Sequence, residues 1–191
     1  MTITNTSFTS CRATNGNGGA LELCGDNVTI TLSNFTSCFS LKSGGAIAPI
    51  SSDNLTITSS RFISCVSFDF GGPIGGIYSN NTNISDCFFK YDHAAGHTNP
   101  DGTIYGEGGA ISWSNSHNLT VSNSTFISNN AYLSGGSISA NNCNDSHVYD
   151  IKTYNETAEF NGGSISWVNS NNVTIENIMC NDSGANYKGG S

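Results

Sequence analysis

Two carboxylates, Asp86 and Asp150, occupy the same position of a repeating pattern, two repeats apart, with Asn123 between them. Stacked strands lie about 4.8 Å apart, so the α-carbons of this pair fall roughly 9–10 Å apart. That is near the upper end for an inverting glycosidase, in which one acid protonates the leaving oxygen and the other activates water. Pectin-degrading β-helices place catalytic carboxylates on such an outer face. The groups that would hold an acidic sugar beside the pair are missing: there is no Asp-Asp pair, no Gly-His-Gly and no Arg-Ile-Lys. A nucleophile elbow and a Ser/His/Asp arrangement are absent as well. The expectation is a non-catalytic chain.

Other constellations each carry a sharp reading and a plain one. Asp92, His93, His97 and Asp101 are four ligand-type residues within one stretch, 90–107, the set from which a metal site is made. Gly96, Pro100 and Gly102 make that stretch an irregular loop, expected to be solvated and to hold no metal or other cofactor. Asp26 and Asp53 stack at one turn, where calcium takes oxygen ligands but a hydrated polar turn serves as well. Cys11, Cys38 and Cys65 share a column. Their spacing fits an inter-coil disulfide, or a ladder of buried thiols acting as small apolar groups. Cys24 and Cys143 lie in other columns. Trp113 and Trp167 are placed to stack on sugar rings if exposed, but alternation assigns them to the interior. Acceptor motifs for N-glycosylation are dense. They begin at Asn5, Asn27, Asn34, Asn54, Asn80 and Asn83, and again at Asn118, Asn123, Asn144, Asn155, Asn172 and Asn181. Asn27, Asn54, Asn118 and Asn172 share one turn. Facing outward, they could carry a row of glycans; facing inward, they would hydrogen-bond up the stack.

Composition excludes several classes. The chain has 191 residues, a net charge of −8 and only 10% charged residues. Its 6 Lys and Arg residues are too few to neutralise a phosphate backbone or to dock on anionic lipid. No apolar run reaches the roughly 18 residues of a membrane helix, and Met1 to Ser10 has neither the basic nor the apolar part of a signal peptide. The 7 cysteines include no CxxC pair, so zinc and thioredoxin-type motifs are absent.

The elements that position these residues follow from an internal repeat. The motif (V/L)-T-(I/V) recurs with its last residue at Ile3, Ile30, Ile57, Ile84, Val121, Val148 and Ile175. Every step is 27 residues except one of 37, which marks a ten-residue insertion in the fourth coil. Five positions later stand Phe8, Phe35, Phe62, Phe89 and Phe126, followed in the same column by Thr153 and Cys180. A glycine pair recurs from Gly18-Gly19 to Gly189-Gly190, followed by a small residue and an apolar one, as in Ala46-Ile47. Val28-Thr29-Ile30-Thr31 alternates as a half-buried strand does, and β-branched residues suit it. Second and third runs lie around Phe35 and after Ala46. A unit of three short strands cannot bury its apolar side alone, but stacked units can. The expected fold is all-β: a right-handed, single-stranded parallel β-helix of about seven 27-residue coils, one domain over residues 1–191, with the inserted loop at 90–107. The aliphatic and Phe columns form its interior.

The pattern Gly108-Gly109-Ala110-Ile111, Leu119-Thr120-Val121, Phe126-Ile127-Ser128-Asn129 resembles the GGAI…FxxN repeat of polymorphic outer-membrane proteins and related adhesin-like surface proteins. The resemblance covers essentially the whole chain. It implies a right-handed parallel β-helix at the cell surface or outside the cell, often adhesive. The chain departs from it three residues after Phe. There the family has Asn, whereas Cys11, Cys38, Cys65, Asp92, Asn129, Glu156 and Ser183 occupy the position here.

Met1 already sits in the column of Val28, Leu55 and Leu119, and no cap is visible at either end. The expected partners are therefore neighbouring repeats of the same protein, or further copies stacked end to end into a filament, with glycans as a further class. The expected function is a non-catalytic structural or adhesive repeat. The alternative is a carbohydrate-binding or polysaccharide-cleaving β-helix.

Overall fold

The alternation in Val28-Thr29-Ile30-Thr31 turns Val28 and Ile30 inward and leaves both threonines half-buried. The computed structural model describes residues 1–186, and the glycine pair at Gly189-Gly190 lies outside them. The chain is an all-β parallel β-solenoid of about seven turns with a 27-residue repeat. Most turns hold four strands rather than three, for example Val28–Thr31, Asn34–Thr36, Phe39–Ser40 and Ile47–Pro49. The extra one, Phe39–Ser40, has only two residues, too few for an alternation signal.

Outside the insertion, every strand pairs in parallel with its equivalent one turn away. Ile3, Ile30, Ile57, Ile84, Val121, Val148 and Ile175 are in direct register. So are Phe8, Phe35, Phe62, Phe89, Phe126, Thr153 and Cys180. The first and second strand series merge into one 12-stranded sheet, because His147–Tyr154 runs through both positions without a break. The third and fourth series form sheets of 7 and 6 strands.

Register dictates the core. Neighbouring Phe rings lie 4.7–4.9 Å apart with interplanar angles of 4–8°, so the strand spacing itself stacks them face to face. Phe35, Phe62, Phe89 and Phe126 are fully buried, as are Ile30, Ile57, Ile84, Val121 and Val148. Each such side chain contributes about 1.5–3 kcal/mol by leaving water. Ile3 and Phe8 are partly buried against this cluster. Ile175, expected in the interior, is instead 43% exposed, because no turn covers it among the described residues. Trp113 is fully buried and donates Nε1–H to the Ser79 carbonyl at 3.0 Å. It fills the space over Gly76, where a Cβ would come within 2.5 Å of the indole.

Closing a 27-residue turn requires sharp corners, and these have a common geometry. Among the described residues, 25 non-glycine residues have positive φ. All fall in four columns, headed by Asn27, Asn5, Ser10 and Ser51. A fifth column is the first glycine of each pair, such as Gly44 and Gly71. Asn, Asp and Ser dominate because their short side chains tolerate the left-handed region best. The second glycine of each pair has another reason: a Cβ at Gly45 would lie 2.3 Å from the Gly72 carbonyl oxygen.

A left-handed corner interrupts the ladder, and the next residue's N–H must find another acceptor. It finds a side chain one turn on. Ser33 N donates to Ser60 Oγ at 3.1 Å, and Cys87 N to Ser124 Oγ at 3.1 Å. Ser52 N and Ser79 N do the same to Ser79 Oγ and Ser116 Oγ. The position three residues after Phe is the third such column. Cys65 N donates to Asp92 Oδ1 at 2.8 Å, Asp92 N to Asn129 Oδ1 at 2.9 Å, and Asn129 N to Glu156 Oε2 at 3.1 Å. Asp92, Asn129 and Glu156 are thus internal caps, whereas the Cys38 and Cys65 thiols in the same column point to backbone carbonyls.

Ser60→Ala would leave the buried Ser33 N–H without its acceptor. Urea denaturation is expected to show a loss of about 1–3 kcal/mol, whereas Ser59→Ala, at the exposed corner, should change stability less.

Candidate functional site

The structure separates most of the residues whose types suggested chemistry. Asp86 and Asp150 are exposed left-handed corners with φ of 56° and 55°. Asn123 stands between them and donates its amide to Asp86 Oδ1. Asp26 Oδ1 accepts the Asp53 N–H and Asp53 Oδ1 accepts the Asn80 N–H, which gives this column a structural task. Of the suggested metal set, Asp92 is an interior cap, His93 lies on the third sheet, His97 faces Asp69, and Asp101 caps Thr103 N at 2.9 Å. No cluster of three or more His, Cys, Asp or Glu placed to hold a metal occurs among the described residues.

All 7 cysteines are free thiols, so Cys11, Cys38 and Cys65 form a thiol ladder. Cys65 Sγ lies 3.6 Å from the Phe35 carbonyl and Cys38 Sγ lies 3.8 Å from that of Phe8. Contact with Cys38, followed by burial, holds the Cys65 thiol well above its usual range. Cys87 and Cys143 stand at the cap positions of two other columns and are buried. Burial pushes Cys87 up to about 12.

The asparagine turn combines the two geometries that the sequence left open. Asn27, Asn54, Asn118 and Asn172 face outward and are exposed. They also form a ladder: Asn54 donates to Asn27, Asn81 to Asn54 at 3.2 Å, Asn118 to Asn81 at 3.0 Å, and Asn172 to Asp145 at 2.7 Å. Asn5, Asn34, Asn123, Asn155 and Asn181 are exposed too, while Asn80, Asn83 and Asn144 are half-buried.

One place gathers chemistry, and it lies where the repeat is broken. The insertion is a β-hairpin rather than an irregular loop. His97–Thr98 pairs antiparallel with Ile104–Tyr105 across an Asn99-Pro100-Asp101-Gly102 turn, in which Gly102 N donates to Asn99 O at 2.9 Å. Pro and Gly here are turn residues. Gly96 and Gly106, both at positive φ, pinch its base over Tyr132; a Cβ on Gly106 would lie 2.7 Å from the Gly96 α-carbon. The hairpin overhangs the fourth sheet and encloses a cleft of about 290 Å³. Phe70, Tyr105 and Glu107 line it with Ile77, Ser114, Asn115 and Asn141. A smaller cavity of about 170 Å³ is lined by Met1, Leu23, Cys24 and Val28, with the exposed acids Glu22 and Asp26 at its side.

Electrostatics mark the cleft further. Burial, and then the charge of Asp69, pushes Glu107 up to about 7. Burial also raises Asp69 above its usual value. Glu107 Oε2 and His97 Nδ1 are both buried without a hydrogen-bond partner. His97 Nε2 lies 3.0 Å from Asn99 Oδ1. Its Nδ1 faces Asp69 Oδ1 at 3.6 Å. Glu107 follows from no motif. The available signal was a carboxylate in the column of Phe70, Ser134 and Asn161, directly before Gly108-Gly109.

No family model matches the chain, and no curated protein does either. Among solved structures it is similar to the crystal structure of a "putative glycosyl hydrolase" from Parabacteroides merdae. The TM-score is 0.53 at 15% identity, over 91% of this chain and 79% of that one. At this identity the likeness carries the parallel β-solenoid fold alone.

A second pair of acids lies inside the solenoid. Asp92 Oδ2 and Glu156 Oε1 have no partner, and burial raises Asp92 well above the usual carboxylate range and Glu156 to about 7. An acid raised by folding contributes fully below its unfolded value, 4.5 for Glu, and that contribution is lost as pH rises through about 7. Stability in urea is therefore expected to fall from pH 5 to pH 8. Glu156→Gln keeps the cap and should recover about 1–3 kcal/mol at pH 8; a wild-type chain more stable at pH 8 than at pH 5 would contradict this.

Proposed function

We propose that the chain is a non-catalytic structural or adhesive rod of an extracellular or cell-surface protein, of the adhesin-like GGAI…FxxN class. The observation that carries this reading is the use of the polar columns. Asp, Asn, Glu and Ser side chains of the kind that perform catalysis elsewhere cap backbone N–H groups at the corners or bond to one another along the stack. Such a molecule is built for length and stiffness. The exposed acceptor asparagines and the scarcity of basic residues fit a secreted glycoprotein surface. The partners in this reading are neighbouring repeats of the same protein or further copies stacked end to end, since parallel turns present matching backbone edges.

Electron microscopy of the purified chain over a range of concentrations should show straight rods that lengthen with concentration, with an axial spacing of about 4.8 Å or a multiple of it. Incubation with neutral and acidic polysaccharides should release no new reducing ends. Release that disappears in Glu107→Gln would overturn the non-catalytic reading.

A further inference from the structure

The hairpin is an addition that the stack does not need. Gly96 N donates to Phe68 O at 2.9 Å and Gly106 N to Asp69 O at 2.8 Å, so the ladder continues past both of its ends. Ala95 and Gly106 stand where Tyr132 and Leu133 stand in the next turn, with no residues between those two. What residues 96–105 create is the cleft. Its volume, about 290 Å³, lies at the lower end of ligand pockets, the size of a single ring rather than a chain.

The lining sets the ligand's chemistry. Tyr105 and Phe70 meet edge to face at 5.3 Å and present an apolar wall. Asn115 Oδ1 accepts from Asn142 at 2.9 Å and Asn141 Oδ1 accepts from Asn169 at 3.0 Å, which leaves the NH₂ of each to be matched by an acceptor. Glu107 brings a carboxyl with an unpartnered oxygen. No Lys or Arg lines the cleft, and the carboxyls of Glu107 in it and Asp69 beside it disfavour an anionic ligand. A simple cation would leave the two amide donors unmatched. A neutral sugar offers hydroxyls that both donate and accept, with an apolar ring face beside them. We propose that the cleft is a binding subsite for a neutral sugar residue of a glycan. Tyr105 and Phe70 form its platform, and Glu107, Asn115 and Asn141 bind its hydroxyls. The site stands independently of the rod reading, which concerns the stack and not the insertion.

The test is titration calorimetry of the whole chain at pH 6 with neutral tetrasaccharides of glucose, mannose and N-acetylglucosamine, with tetragalacturonate and with calcium chloride. At least one neutral tetrasaccharide is expected to bind saturably, and tetragalacturonate and calcium are not. Glu107→Gln should weaken that binding by about tenfold or more. Excision of residues 96–105 should abolish it while leaving the circular dichroism and the cooperative melt of the solenoid in place. Absence of binding by all neutral sugars, binding of tetragalacturonate or calcium alone, or binding that survives the excision would overturn the proposal.

Discussion

The structure depends on one backbone constraint. A chain that returns to its starting direction every 27 residues must turn sharply, and here it does so through residues in the left-handed region. Each such corner breaks the inter-strand ladder, and at three corner columns the next N–H is left facing the interior. An unpaired N–H there costs about 1–3 kcal/mol, repeated at every turn. The inward polar column behind the corner supplies the missing acceptor from the neighbouring turn. Corner and cap are therefore one device, and together they account for a composition rich in Asn, Ser and Gly that would otherwise read as disorder.

The same device changes how the chemistry-bearing residues are read. Asp92, Asn129 and Glu156 lie three residues after the Phe position because a cap is required there, and Cys11, Cys38 and Cys65 occupy that position in earlier turns. Asp86 and Asp150 are corners, chosen for backbone conformation. Where the repeat is interrupted, a buried carboxyl escapes this role. Glu107 precedes a glycine pair like its column mates, but the hairpin folds over it and shields it from solvent.

Much of this was legible in the sequence. The register of Ile30, Ile57 and Ile84, the stack from Phe8 to Phe126, the buried Trp113 and the position of the insertion all follow from a strict period and two-residue alternation. The strand at Phe39–Ser40 did not, being too short to alternate. The hairpin did not, since its strands are two residues each and its Gly and Pro residues also mark an irregular loop. Ile175 shares the column of buried residues yet is exposed, since no turn covers it among the described residues. The pairing of Asp69 with His97, and the approach of Asp69 to Glu107, join neighbouring turns through the fold, with no local spacing to announce them.

If the left-handed corner is the governing constraint, its worst occupants include Leu32 and Tyr78, at φ of 53° and 54° and each 59% exposed. Neither buries enough apolar surface to offset that conformation. The most direct measurement is the thermal and urea stability of Leu32→Asn and Tyr78→Asn, singly and together. The account predicts that each stabilises the chain by about 0.5–1 kcal/mol, and that the two effects add. Unchanged or lowered stability in both would show that corner conformation does not govern this fold.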